Sequence, residues 1–315
     1  MSTAEAWTVG RLLTWTAEYL KKQGSSSPRL DAEVLLAEAR GCQRIELYTA
    51  FTEEPSEEVR ASFKEMVRRR AEGTPVAYLV GRKEFYSLAF EVNPDVLIPR
   101  PETEHLIVEA VDRAKKLTGN AENSTVDGAG EGSARPRGSR SYASLSIADI
   151  GTGSGIVAIS LAKSLSGASI VAVDISPAAL AVAQRNVDQH AVQSQVTLLP
   201  SDLLSGISEA TVFDMIVSNP PYISEPEYDA LPVSVRNYEP RGALVGGPSG
   251  TEIIASLMTQ AAARLKSGGW LLMEISPTIA DQVVAQVDRS LWSEPAVTKD
   301  LAGHARIIAM SRLAT

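Results

Sequence analysis

Asn219-Pro220-Pro221-Tyr222 follows directly on the apolar run Phe213-Asp214-Met215-Ile216-Val217-Ser218. Proline lacks an N–H and fixes φ, and each X-Pro step pushes the preceding residue out of the helical region. A buried strand ending this way gives a stiff loop with free backbone carbonyls and one polar side chain, Asn219, held in place. Such a loop presents hydrogen-bond acceptors to a planar –NH2 group. By itself the tetrapeptide also reads as a strand-exit turn with an aromatic plug, because Asn-Pro is a common turn signal.

A second constellation lies upstream. Ser146-Ile147-Ala148-Asp149-Ile150 reads as a short buried strand, Gly151-Thr152-Gly153-Ser154-Gly155 follows at once, and Ile156 to Ala162 has the apolar density of a packed helix. Strand, glycine turn and helix together have the form of a nucleotide-cofactor loop. The dinucleotide fingerprint is absent, since its third glycine would fall on Ile156. The next strand, Ser169 to Val173, ends in Asp174, where an acid can accept from both hydroxyls of a ribose. Ser176-Pro177 then opens a helix as N-cap and first-turn proline.

Gly151–Gly155, Asp174 and Asn219–Tyr222 resemble the motifs of class I S-adenosylmethionine-dependent methyltransferases that act on exocyclic or amide nitrogens. Further stretches narrow the resemblance. Gly73-Thr74-Pro75-Val76-Ala77-Tyr78-Leu79, Gly81 with Phe85 and Tyr86, and Ile98-Pro99-Arg100-Pro101-Glu102-Thr103-Glu104 are similar to the release factor glutamine N5-methyltransferases. So are Glu239-Pro240-Arg241-Gly242-Ala243-Leu244 and Asp300-Leu301-Ala302-Gly303 with Arg306. The resemblance runs from about Pro28 to the last strand.

The resemblance implies methyl transfer from S-adenosyl-L-methionine to the N5 amide of the glutamine in the Gly-Gly-Gln loop of translation release factors. It implies cofactor contacts at Gly151, Thr152, Gly153, Ser154, Gly155, Asp174, Asp202, Leu203 and Asn219. Asp202 would bond the adenine amine and Leu203 cover its face, although a surface acid and a core leucine read equally simply. Asp149 would either accept from the cofactor ammonium or orient the loop. Asn219, Pro220, Pro221 and Tyr222 would hold the substrate, with Asn219, Pro220 and Tyr222 catalytic. Ribosomal-protein glutamine methylation and nucleic-acid amino methylation use similar tetrapeptides. A non-catalytic scaffold would more readily have lost Asp174 or Asn219.

These residues need a framework. Alternating strands and helices from Ile147 onward imply a parallel sheet flanked by helices. Strands are expected near 146–150, 169–174, 196–199, 213–218, 269–275, 295–299 and 305–311, with a helix from Thr251 to Lys266 ended by Gly268 and Gly269. The fold class is therefore α/β: a Rossmann-like class I methyltransferase with a mostly parallel seven-stranded sheet and a small N-terminal helical domain joined by a β-hairpin. Domain bounds are set at 1–82 for the helical, substrate-recognising part, 83–100 for the hairpin and 101–315 for the methyltransferase part. In doubly wound order the first and fourth strands are neighbours, so their two loops would share one crevice.

In the N-terminal part, Arg29–Arg40 and Pro55–Glu72 carry apolar residues at helical spacing, and Arg68-Arg69-Arg70 closes the second helix, where cations suit the dipole. Residues 118–144 are rich in Gly, Ser, Asn, Ala and charge and depart from the family pattern. They are expected to be a disordered insertion, the alternative being a partner-binding arm using Arg135, Arg137 and Arg140.

Of the 315 residues 44% are hydrophobic, enough for a sizeable core, and the net charge of −8 leaves no basic stripe for duplex DNA. The single cysteine, Cys42, excludes an intrachain disulfide and fits a reducing cytoplasm. His105, His190 and His304 have no metal-ligand spacing, so no metal is expected. The N-terminus lacks the regions of a signal peptide, and no apolar run spans a membrane. A cytoplasmic monomer that engages release factors, without DNA or membrane, is the expectation.

Losing the ribose acceptor should be measurable. Asp174→Ala should weaken S-adenosylmethionine binding by about 1.5–3 kcal/mol in calorimetry; unchanged affinity would remove Asp174 from the site.

Overall fold

The computed structural model describes residues 6–123 and 142–314. The described residues fall into two compact units, one bounded by Met1–Arg82 and Pro232–Tyr238, the other by Lys83–Leu231 and Glu239–Thr315.

The first unit is helical: α1 (Val9–Lys22), α2 (Pro28–Arg40), α3 (Glu46–Thr49), α4 (Glu57–Ala71) and α5 (Val76–Val80). Thr8 and Ser56 cap α1 and α4 by accepting backbone N–H bonds, and Gly41 ends α2 in the left-handed region. Leu13, Leu20, Leu35, Leu36, Leu47 and Phe63 form the core. The basic run closing α4 is largely structural. Arg68 bridges Glu65 and Glu72, while Arg70 pairs at 2.8 Å with the buried Asp31. Residues 232–238, which sequence reading left in the catalytic half, pack with this unit. The Tyr238 hydroxyl donates to the Glu72 carbonyl at 3.0 Å.

The second unit begins with the hairpin β1 (Arg82–Phe85) and β2 (Leu88–Glu91). Its two turn residues, Tyr86 and Ser87, both have positive φ (49° and 60°), as a tight hairpin requires. Glu104 offsets the strain by accepting the Tyr86 N–H at 3.0 Å.

Then come α6 (Glu104–Asn123), β3 (Ser146–Ile150), α7 (Ile156–Ser164), β4 (Ser169–Asp174), α8 (Pro177–Gln189), β5 (Val196–Pro200), β6 (Phe213–Ser218), β7 (Ile223–Ser224), β8 (Val245–Gly247), β9 (Leu265–Glu274), β10 (Ala296–Lys299) and β11 (Ala305–Ser311). The seven-stranded sheet has the order β10-β11-β9-β6-β3-β4-β5. β9, β6, β3, β4 and β5 pair in parallel, and β11 runs antiparallel to both its neighbours. One face buries Ile147, Ile170, Met215 and Leu272 under α6 and α7; the other buries Ile150, Ile216, Leu271 and Met273 under the helix Glu252–Arg264.

That helix corrects an expectation. It stops at Arg264 rather than Lys266, and β9 starts at once. Arg264 is buried and donates to the carbonyls of Ile207, Ser208 and Thr211, which fixes the helix end. Phe213 pairs with Leu265 and Met215 with Trp270, so 266–269 bulge from the ladder opposite Asp214. Gly268 and Gly269 serve that bulge and do not cap a helix.

The helix α6 continues to Asn123, with Thr118 buried and its hydroxyl donating to the Ala114 carbonyl, and Tyr142 is buried again. The expected insertion otherwise falls on 124–141, as do Arg135, Arg137 and Arg140, and lies outside the described residues.

Asn186 on α8 ties the framework together. Fully buried, it accepts the Glu91 N–H at 2.7 Å and donates to the Glu91 carbonyl at 3.0 Å and to the Ser154 carbonyl at 2.9 Å. Asn186→Ala should destabilise the protein by roughly 2–4 kcal/mol, since it strands three backbone groups without partners. Urea unfolding checks this; a loss near zero would mean water replaces the amide.

Candidate active site

The parallel pairing of β3 and β6 sets Ile150 beside Ser218, and the Ser218 hydroxyl donates to the Ile150 carbonyl at 2.7 Å. The glycine turn and the Asn-Pro-Pro-Tyr loop therefore leave the same edge of the sheet on adjacent strands. β4 and β5 bring Asp174 and Asp202 to that edge, where the Ser201 N–H donates to the Asp174 carbonyl at 3.0 Å.

Within the glycine turn, Gly151 and Gly153 have φ of 72° and 56°, and a Cβ at either would meet no protein atom within 4 Å. The space against the loop backbone is thus open to a ligand. Asp149 is buried and acts on the loop itself. One carboxylate oxygen accepts the Thr152 hydroxyl at 2.7 Å and the Ala158 N–H at 3.1 Å. Burial pushes this carboxyl up to about 7, against those two hydrogen bonds and with added repulsion from Asp174. Asp174 is half-buried and accepts the Gly153 N–H at 2.8 Å and the Ser176 N–H at 2.9 Å, so it shapes the turn it adjoins. Ser176 caps α8, accepting the Ala179 N–H.

Asp202 is exposed, whereas Leu203 is half-buried, packs partly on the core and has a positive φ of 49°. Ile175, which sequence reading passed over, is 71% exposed directly after Asp174. An apolar side chain so open beside Asp174 is a candidate contact.

The tetrapeptide loop is held from three sides. The Asn219 amide nitrogen donates to the Thr103 hydroxyl oxygen at 3.1 Å, and Thr103 is fully buried. This leaves the Asn219 Oδ1 without a demand from Thr103. The Tyr222 hydroxyl donates to the Glu274 carboxylate at 3.4 Å. Burial, reinforced by Glu274, keeps that phenol far above its ordinary pKa, so it remains a donor. Beneath the loop lies Gly246-Gly247-Pro248-Ser249-Gly250. A Cβ on Gly246 would fall 2.4 Å from the Pro221 carbonyl oxygen, and one on Gly250 2.4 Å from that of Tyr222.

Glu274 closes β9 beside this loop and is 2% exposed. Burial raises its carboxyl to about 7; the hydroxyls of Thr103 and Tyr222 pull it down, Glu102 pushes it up and Arg306 pulls it down. Glu274 and Gly246 escaped sequence reading, and Thr103 was only part of a motif. An acid inside the apolar run Leu271-Leu272-Met273-Glu274-Ile275 was the available signal.

Two further motifs of this unit are held by ion pairs. Glu239, buried, accepts the Ile98 N–H at 3.1 Å and pairs with Arg100 at 2.6 Å. Asp300 accepts the N–H groups of Ala302 and His304 and pairs with Arg306 at 2.8 Å, which holds its carboxyl down at about 2. Among the described residues, no group of three or more His, Cys, Asp and Glu side chains could hold a metal ion, and no helix is long and apolar enough to cross a membrane.

The sheet order, with the glycine turn and tetrapeptide on its adjacent central strands, defines a class I methyltransferase. Consistent with this, the family described as PrmC N-terminal domain matches residues 11–81, and that described as Methyltransferase small domain matches residues 139–232. The chain is 51% identical over 308 residues to the release factor glutamine methyltransferase of Rhodopirellula baltica, covering 97% of each chain. It is 40% identical to the Koribacter versatilis enzyme of that name, over 92% of this chain and 94% of that one. For the Geobacter sulfurreducens enzyme the identity is 36%, over 96% of each. The solved structure of the hMettl16 catalytic domain, in complex with MAT2A 3'UTR hairpin 6, shares the fold alone. Its TM-score is 0.51 at 15% identity, covering 79% of this chain and 82% of that one. The chain belongs to the release factor glutamine methyltransferase family.

Gly246→Ala tests the support beneath the loop. Its Cβ must displace the Pro221 carbonyl, and a shift of this size at reacting groups should lower kcat by about 10–100-fold. Cofactor affinity should hold within about threefold, because the glycine turn is on another strand. Steady-state kinetics with isothermal calorimetry separate the two; unaltered kcat would show that the loop tolerates the shift.

Proposed function

We propose that this protein transfers a methyl group from S-adenosyl-L-methionine to the side-chain amide nitrogen (N5) of the glutamine in the Gly-Gly-Gln loop of release factors. The observation that carries this reading is the Asn219 amide, whose nitrogen is committed to Thr103 and whose oxygen is thereby left as an acceptor.

The open glycine turn, with Asp174 at the tip of the next strand, fits the cofactor. Gly151, Thr152, Gly153, Ser154 and Gly155 would line its methionine part with backbone, and Asp174 would accept from the ribose hydroxyls. Asp202, Leu203 and Ile175 would surround the adenine. When bound, the cofactor supplies an electrophilic methyl on sulfonium, so the protein need not form a covalent intermediate.

An amide nitrogen is a poor nucleophile because its lone pair is delocalised into the carbonyl. Asn219 Oδ1 and the Pro220 carbonyl would accept its two N–H bonds, aim it at the methyl and favour the positive charge that builds there. The cofactor would supply the methyl and leave as its neutral thioether, and the amide proton, acidic only as the methyl arrives, would be shed to solvent once the methyl is in place. Tyr222 would lie over the flat amide and exclude water, and Pro221 fixes the angle between them.

Protein rather than nucleic acid as substrate is supported by charge. Arg100, Arg241 and Arg306 are each paired with a carboxylate, Glu239, Glu225 and Asp300, and so are poorly placed to bind phosphates. The helical unit 1–82 would recognise the release factor, 83–100 link it and 101–315 perform the transfer. The enzyme would act as a cytoplasmic monomer, where translation supplies its substrates.

Asn219→Ala should lower kcat on a release factor by roughly 10²–10³, with cofactor affinity little changed. Asn219→Asp keeps an acceptor and should retain more activity than alanine. Labelled-methyl transfer to release factor, ribosomal protein and DNA in parallel checks the substrate. Equal inactivity of both variants, with cofactor bound normally, would show that the amide donor matters instead.

A further inference from the structure

Asp300-Leu301-Ala302-Gly303 with Arg306 stands out in the sequence, yet it has no task in the mechanism above. The stretch forms the turn between β10 and β11, and it is tightly built. One Asp300 carboxylate oxygen accepts the N–H groups of Ala302 and His304, both at 2.9 Å, and the other takes Arg306 Nε at 2.8 Å. The Asp300 N–H donates to the His304 carbonyl and the Gly303 N–H to the Asp300 carbonyl, each at 2.9 Å, with Gly303 at a φ of 84°.

Two routes bring Arg306 to the edge of the candidate site. On one side its carbonyl accepts the Ile275 N–H at 2.8 Å, and Ile307 pairs with Glu274, which takes the Tyr222 hydroxyl. On the other, Nη2 lies 3.9 Å from the Glu102 carboxylate. Glu102 belongs to the turn Pro101–Thr103, whose last residue accepts the Asn219 amide. Arg306 therefore stands beside segments bonded to both ends of the tetrapeptide.

A guanidinium carries its N–H donors in one rigid plane. Nε–H goes to Asp300, while among the described residues Nη1 and Nη2 make no hydrogen bond, the approach to Glu102 being too long for one. The side chain is 22% exposed, so this outer edge is not sealed off. Asp300 and Glu102 together offset the charge, which leaves an anion little to gain. A neutral acceptor can still use the N–H groups. The loop proposed as substrate offers such acceptors: two residues of Gly-Gly-Gln have no side chain, so only their peptide groups can be gripped. Carbonyls desolvated on docking need donors, and the tetrapeptide presents acceptors in Asn219 Oδ1 and the Pro220 carbonyl.

We propose that Arg306 is a substrate-binding residue whose outer guanidinium edge donates to main-chain carbonyls of the loop that carries the target glutamine, with Asp300 holding the fork in place and neutralising it. This role rests on the release-factor reading above.

Steady-state kinetics on a release factor compare Arg306→Lys, Arg306→Ala and Asp300→Asn with wild type, and calorimetry follows the cofactor. Lysine keeps the charge and can reach Asp300 but loses the planar fork, so KM for the release factor should rise about 10-fold. Alanine should raise it about 10–100-fold, with kcat within about threefold of wild type and cofactor affinity unchanged. Asp300→Asn keeps an acceptor for the turn N–H groups and leaves the guanidinium donors in place. Its KM should rise about threefold at most, less than in Arg306→Lys. Because the ligand is neutral, KM should depend on salt equally steeply in wild type and Arg306→Ala.

Wild-type activity, measured first and independent of position 306, decides the substrate reading; with no release factor methylated, that reading and this role fall together. Given an active wild type, the variants judge Arg306 alone. Unmoved KM in both Arg306 variants would overturn the proposal. So would an Asp300→Asn effect as large as that of Arg306→Lys, which would assign the effect to the turn. A flatter salt dependence in Arg306→Ala would mark an anionic ligand and overturn it too. If Arg306→Ala fails to fold, Arg306→Lys carries the test.

Discussion

Two parallel strands, β3 and β6, lie side by side at the centre of the sheet although 68 residues separate the Ile150 carbonyl from the Ser218 hydroxyl bonded to it. Everything at the candidate site follows from that adjacency. Each strand ends at the same edge, so a glycine turn and a double-proline loop emerge next to one another from a rigid base. Rigid strand ends suit the task, because transfer between two bound groups depends on distances held to a fraction of an ångström. The flanking strand β9 extends the arrangement by one more position and delivers Glu274 to the loop.

Buried acids then do different work according to their partners. Asp149 and Glu274 are both nearly inaccessible and both raised to about 7 by burial. Asp149 shapes the loop, accepting from Thr152 and Ala158 through one oxygen. Glu239 is equally buried but answers Arg100 and the Ile98 N–H, which makes it a clamp between distant segments. Glu274 alone among these three leaves a buried carboxylate oxygen without a partner. Such an atom costs stability, and its carboxylate lies beside the tetrapeptide loop, bonded to Tyr222.

Much of this was legible from residue types. Alternating strand and helix patterns gave the parallel sheet, because strands buried on both faces must be almost wholly apolar. Ser176-Pro177 and Gly41 marked helix ends through local backbone chemistry alone. Reading failed where a tertiary contact overrode a local signal. Gly268 and Gly269 look like a helix stop, yet the buried Arg264 ends the helix earlier and the glycines serve a bulge opposite Asp214. The segment 232–238 gives no hint in sequence that it packs with the N-terminal helices, where the Tyr238 hydroxyl reaches the Glu72 carbonyl and Val233 lies near Gly73.

By itself, then, the sequence determined the fold class, the glycine turn, the acid that ends β4 and the Asn-Pro-Pro-Tyr loop, because each is set by propensity, proline geometry or periodicity over a few residues. Only the tertiary structure decided how those parts are oriented. Asn219 has two chemically opposite ends, and its sequence neighbours do not choose between them; Thr103, 116 residues away, takes the nitrogen. Gly246 reads as an ordinary turn glycine until the Pro221 carbonyl is found where its side chain would be. Hydrogen-bond direction and close approach are properties of groups brought together from distant strands, and no local pattern encodes them.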